Sequence, residues 1–146
     1  MALFPHGDYP DPAELRSVEL FADLSDDELS GVARLATRRE LTAGDLLIDQ
    51  GRVGDSFFVI SEGRALVYIG DDFVASVGSR SAVGETALVE HRPRNASVIA
   101  ETDMVVAEFG VNEFHKLLDR YPTARLRIME LLNSRVRENL ERRGQS

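Results

Sequence analysis

The feature that most constrains this sequence is a series of short β-rich runs separated by glycine. Between residues 37 and 109 lie Leu46 to Ile48, Phe57 to Ile60, Ala65 to Ile69, Phe73 to Val77, Ala96 to Ala100 and Met104 to Phe109. Glycine stands at 44, 51, 54, 63, 70, 78 and 84, so seven of the 11 glycines fall within 41 residues. Many short strands joined by glycine turns predict an antiparallel barrel or jelly roll.

Helical signals flank this stretch. Ser25 and Glu28 form a capping box, and Leu29, Val32, Ala33 and Ala36 follow at helical spacing, which predicts a helix over about 25–36. Pro5, Gly7, Pro10 and Pro12 make residues 1–12 a flexible arm, with a helix able to start near Pro12. After Gly110, Asn112 is placed to cap a short helix carrying Phe114, Leu117 and Leu118. Tyr121-Pro122 ends it and starts a last helix over about 122–142, with Ile128, Leu132, Val136 and Leu140 on one stripe and Met129 and Leu131 beside it. The expected fold is mainly β: an antiparallel jelly-roll barrel at about 37–109 with an N-terminal helix and two C-terminal helices at about 111–142. Residues 13–146 then form a single domain.

Composition removes several classes of function. With no cysteine among 146 residues there is no disulfide scaffold, thiolate nucleophile or cysteine-ligated metal, which suits a reducing cytoplasm. A net charge of −8 opposes nucleic-acid binding. No apolar run is long enough to cross a bilayer, and the first 30 residues carry eight acids against Arg16 alone, unlike a secretory signal. His6, His91 and His115 do not share the close spacing of a cupin metal centre, and neither Lys116 nor any serine stands in a catalytic pattern, so no metal and no enzymatic activity are expected. The basic stretch 135–143 reads as a solvated helix face.

The chemistry lies in Val83-Gly84-Glu85-Thr86-Ala87-Leu88 and, after a short gap, Arg94-Asn95-Ala96-Ser97-Val98. Glycine before a helical turn lets a ligand approach the backbone, and the free amides of that turn attract an anion. Glu85 can accept from hydroxyls, and Arg94 returns nine residues later as a planar phosphate donor. Hydroxyl, phosphate and an apolar floor together describe a nucleotide.

The two linked motifs resemble the phosphate-binding cassette of the cyclic-nucleotide-binding domain family, Gly-Glu-x-Ala-Leu followed by Arg-x-Ala-Ser/Thr-Val. The upstream series from Gly44-Asp45 through Ile48, Gly51, Gly54-Asp55 and Phe57 to Gly63 is similar to that family's glycine-marked strands. The resemblance implies that Glu85 and the Gly84 backbone hold the ribose 2′-hydroxyl, and that the cyclic phosphate sits on Arg94 and the Ala87 amide, with the Asn95 amide nearby. Thr86 and Ala96 complete the candidate site. Val83 and Thr86 depart from the family's usual residues without removing a ligand group. Asn95 stands where family members vary with base preference.

The expected function is a cyclic-nucleotide sensor or regulatory domain binding cyclic AMP and signalling through its C-terminal helix, with Leu131, Leu132 and Arg135 as candidates to cover the base. It needs no cofactor. Its partners are the small-molecule nucleotide, an effector protein and a second copy joined through the C-terminal helix. Cyclic GMP, a ligand-free interaction module and a cupin-like metal enzyme are the alternatives, in that order. The sequence after the long helix leaves no room for the DNA-reading helix pair that catabolite-activator-like members carry.

Overall fold

A computed structural model describes residues 9–51, 56–79, 81–83, 96–131 and 133. Three helical pieces precede the sheets. Helix α1 (Pro12–Arg16) is capped by Asp11, whose side chain accepts from the Ala13 N–H while Glu14 reaches back to Asp11. A 3-10 turn follows at Glu19–Phe21, which the sequence reading did not anticipate. Helix α2 (Asp26–Leu35) has the predicted capping box, with Ser25 Oγ accepting from the Glu28 N–H at 3.1 Å and Glu28 accepting from the Ser25 N–H at 2.9 Å.

Among the described residues eight strands then form two antiparallel four-stranded sheets. Strands β1 (Thr37–Leu41), β8 (Met104–Gly110), β3 (Ser56–Glu62) and β6 (Ala82–Val83) lie side by side in the first, and β2 (Leu46–Ile48), β7 (Ser97–Ala100), β4 (Ala65–Ile69) and β5 (Asp72–Val77) in the second. This is the mainly β, jelly-roll arrangement that the glycine-punctuated runs predict. Strands β1 and β6 were not among those runs.

The two sheets close on an apolar layer of Leu41, Phe58, Ile60 and Val106 from the first and Leu47, Ile48, Ala65, Val98 and Ala100 from the second. Residues alternate across a strand, so Phe57, Val59, Ala107 and Phe109 point out of the opposite face of the first sheet. Helices cover that face: Leu15, Phe21, Leu29, Val32, Phe114 and Leu117 pack there in a second core. Burial on both faces explains why β3 reads as an unbroken apolar run, Phe57-Phe58-Val59-Ile60, with every residue buried. In the second sheet Leu46 and Phe73 stand more than half exposed.

One turn demands glycine. Gly63, between β3 and β4, has φ +95°, and a Cβ there would lie 2.4 Å from the Asp103 carbonyl oxygen.

The C-terminal helices complete the second core. Helix α3 (Val111–Arg120) starts directly from β8, with Gly110 in the N-cap position and no side chain capping it. Asn112 is therefore not the cap that its residue type suggests. The β8 ladder runs to Gly110, opposite Ser56, so the helix has already begun when Asn112 is reached. Tyr121 ends α3 and lays its hydroxyl over Gly31 of α2, at a distance where a Cβ would collide with it.

The last helix, α4, is described over residues 122–131 and at 133. Ala124 and Ile128 are completely buried in the helical core, Leu131 packs against it, and Leu126 and Met129 are exposed. An ion pair from Arg127 to Asp23 ties this helix to the segment before α2, and that hydrogen bond holds the Arg127 guanidinium above its usual pKa. No helix among the described residues is long and apolar enough to cross a membrane.

Candidate functional site

Three connections meet at one end of the sandwich. Residues 51–55 leave β2 in the second sheet and enter β3 in the first at Ser56. Residues 84–96 make the reverse crossing. They leave β6 at Val83, which pairs with Phe58, and enter β7 at Ser97, which pairs with Tyr68. The β4–β5 turn lies at the same end, because Tyr68 and Ile69 precede it and pair with Phe73 and Asp72. Both candidate motifs thus belong to a segment whose two roots stand on facing sheets. In strand register Phe58 lies beside one root, while Ile48 and Val98 lie beside the other; all three are nearly fully buried. They supply an apolar floor.

Two further features gather at this end. Gly110 pairs with Ser56, so α3 departs from here, and Thr37 pairs with Glu108, so the chain coming from α2 arrives nearby. Ser56 Oγ donates to Glu108 Oε2 at 2.5 Å, and Arg39 donates to Glu108 Oε1 at 3.2 Å. These bonds fasten the start of β3 to the end of β8. Gln50, two residues beyond β2, accepts at Oε1 from the Gly70 N–H at 2.7 Å and donates its backbone N–H to Ser97 Oγ at 2.9 Å.

Of the predicted site residues, Gly84, Glu85, Thr86, Ala87, Arg94, Asn95, Leu132 and Arg135 lie outside the described residues. Ala96 is described: it is half-buried in a bend immediately before β7. Leu131 is described on α4, half-buried against the helical core. His115 lies exposed on α3 beside the Phe114 ring, and His6 and His91 are outside the described residues. Among the described residues no group of three histidines or carboxylates could hold a metal ion. The sequence reading did not single out Gln50; the only signal was a polar residue before the glycine at 51, at the end of a strand.

The comparisons agree with this architecture. The family model of the cyclic nucleotide-binding domain matches residues 38–121, which take in β1 through α3 and the whole 84–96 crossing. A cAMP-dependent protein kinase regulatory subunit from Hypocrea atroviridis is 35% identical over 104 residues, 71% of this chain and 22% of that protein. The chain spans 22%, 27% and 36% of the length of three curated relatives, all cAMP-dependent protein kinase regulatory subunits. Among solved structures, the Thermus thermophilus catabolite activator protein superposes with a TM-score of 0.75 at 25% identity, over 84% of this chain and 60% of that one. The regulatory domain of Toxoplasma gondii PKA, crystallised with cAMP, gives a TM-score of 0.71 at 26% identity, over 87% of this chain and 48% of that one. The match is to a binding domain and not to a catalytic one. With two facing sheets, a crossing segment that carries both candidate motifs and a family match over more than half its length, this chain belongs to the cyclic nucleotide-binding domain family.

Proposed function

We propose that this chain is a cyclic AMP sensor whose ligand is held by the 84–96 crossing. The observation that carries the reading is the rooting of that segment on both sheets, at Val83 and Ser97, over the buried Ile48, Phe58 and Val98. Glu85 takes the ribose 2′-hydroxyl with the Gly84 backbone. Arg94 and the amides of Ala87 and Asn95 take the cyclic phosphate, and Thr86 and Ala96 line the segment. A local anion site of this kind works despite the net charge of −8 because a guanidinium and converging amides act at contact distance, where screening by solvent is weakest. The relatives named as cAMP-dependent, and the neighbour crystallised with cAMP, support cyclic AMP over cyclic GMP.

The test is calorimetric titration with both nucleotides. The parent domain should bind cyclic AMP more tightly than cyclic GMP; binding of neither would overturn the reading. Glu85→Ala should weaken cyclic AMP by roughly 5- to 30-fold, while an analogue lacking the 2′-hydroxyl should lose much less, since it never made that bond. Equal losses for the two ligands would remove Glu85 from the ribose.

The signal leaves through the C-terminal helices to an effector protein in the cytoplasm. Support comes from the departure of α3 at the same end as the crossing, and from α4 packing back on the helices before β1. Ala124 and Ile128 anchor the first turns of α4, so the turns from Leu131 onward, with Leu132 and Arg135, are the part assigned to the base. Cyclic AMP should slow amide exchange from 131 onward as well as across 84–97. Protection confined to 84–97 would leave α4 as scaffold.

A further inference from the structure

Gln50 touches all three connections at the ligand end. It immediately precedes Gly51 and the 51–55 connection, its backbone N–H donates to Ser97 Oγ at 2.9 Å, and its side-chain Oε1 accepts from the Gly70 N–H at 2.7 Å. Gly70 is in the β4–β5 turn with φ +59°, and Ser97 is the first residue of β7, paired with Tyr68 just before that turn. Tyr68 in turn sets its ring edge-on to Phe73, with centroids 5.9 Å apart, on the far side of the turn. The root of the crossing segment is thus tied sideways to two other loops, in addition to its ladder bonds along β4 and β2.

We propose that Gln50 and Ser97 are positioning residues. Their hydrogen bonds hold the exit of the 84–96 segment in fixed register with the β4–β5 turn, and so set where Arg94 presents its guanidinium to the cyclic phosphate. The inference rests on the reading of Arg94 given above. Arg94 stands three residues before Ser97, a span of at most about 10 Å of chain. Slack at the root is therefore passed on to Arg94 with few bonds to absorb it. A guanidinium reaches a phosphate through two parallel N–H donors only when its base is held to within about 0.5 Å. Gln50 and Gly70 are exposed and Ser97 half-buried, so neither bond contributes much to global stability. Their value lies in geometry at the site.

The experiment measures cyclic AMP affinity for the parent, Ser97→Ala, Ser97→Thr, Gln50→Leu, Arg94→Ala and the double variant Ser97→Ala/Arg94→Ala, with melting temperatures alongside. Ser97→Ala and Gln50→Leu should each weaken binding by about three- to tenfold, and Ser97→Thr, which keeps the hydroxyl, should stay within about twofold of the parent. In the Arg94→Ala background Ser97→Ala should have no further effect, because the group it positions is gone. A purely structural bond would lower affinity equally in both backgrounds, and that result, or parent-like affinity for Ser97→Ala and Gln50→Leu, overturns the proposal while leaving Arg94 in place. A parent that binds neither nucleotide overturns the functional reading and this inference with it.

Discussion

Replacing Arg94 by alanine is expected to weaken cyclic AMP binding by about 30- to 1,000-fold while leaving the fold intact. The loss is that of a charge-assisted contact to a phosphate in a partly water-excluded site, about 2–4 kcal/mol. Arg94 lies in the connection between Val83 on one sheet and Ser97 on the other, and a charged side chain is not a source of the apolar burial that stabilises the fold. Calorimetry should therefore show the affinity fall with an unchanged melting temperature for the free protein. Arg94→Lys should recover only part of the loss, because an ammonium supplies charge without the planar fork. Affinity equal to the parent's in Arg94→Ala would place the phosphate elsewhere.

Phe109→Ala is expected to be the most damaging change to the fold. The ring is completely buried, 6.2 Å from Phe21 and 5.8 Å from Phe57 between centroids, and Phe57 is 5.1 Å from Phe114. This chain of rings joins the segment before α2, strands β3 and β8, and α3 into one cluster. Truncation leaves a cavity that surrounding strands cannot close, at a cost of about 3–5 kcal/mol. A domain of this size has roughly 5–15 kcal/mol in total, so the melting temperature should drop by about 10–15 °C. A drop of less than about 3 °C would mean that the cluster collapses to fill the space. Because a ligand that binds only the folded state stabilises it, cyclic AMP should also raise the variant's melting temperature, with the logarithm of ligand concentration above the dissociation constant.

The parts of the fold that were legible in the sequence are those whose signals are local. The α2 cap needs only Ser25 and Glu28, three residues apart, and both of its bonds are present. The β3 run Phe57-Phe58-Val59-Ile60 announces itself because both its faces are buried. Strand β1 did not, because Thr37-Arg38-Arg39-Glu40-Leu41 has one buried residue in five and is a strand only because β8 offers it a ladder. Arg38 there is held by Glu40 at 2.8 Å and Glu14 at 3.1 Å, which raise its pKa, so this charge-rich run is an edge strand with its charges paired. Strand β6, two residues long, is recognised through its pairing with β3. Asn112 has the residue type of a cap but follows a strand that runs one residue further than its composition suggests.

The same division holds for the site. The order and spacing of Gly84-Glu85 and Arg94-x-x-Ser97 are properties of the chain, and they are residue types suited to a ribose hydroxyl and a phosphate. From them the ligand class and the family follow without coordinates. Tertiary structure alone decided at which end of the sandwich Val83 and Ser97, the roots of the 84–96 segment, stand, that the end of β2 and the β4–β5 turn share it, and that Gln50 reaches Ser97 across 47 residues and Gly70 across 20. Pairings between residues so far apart depend on strand register, and register is set by how whole faces pack rather than by any short run of sequence.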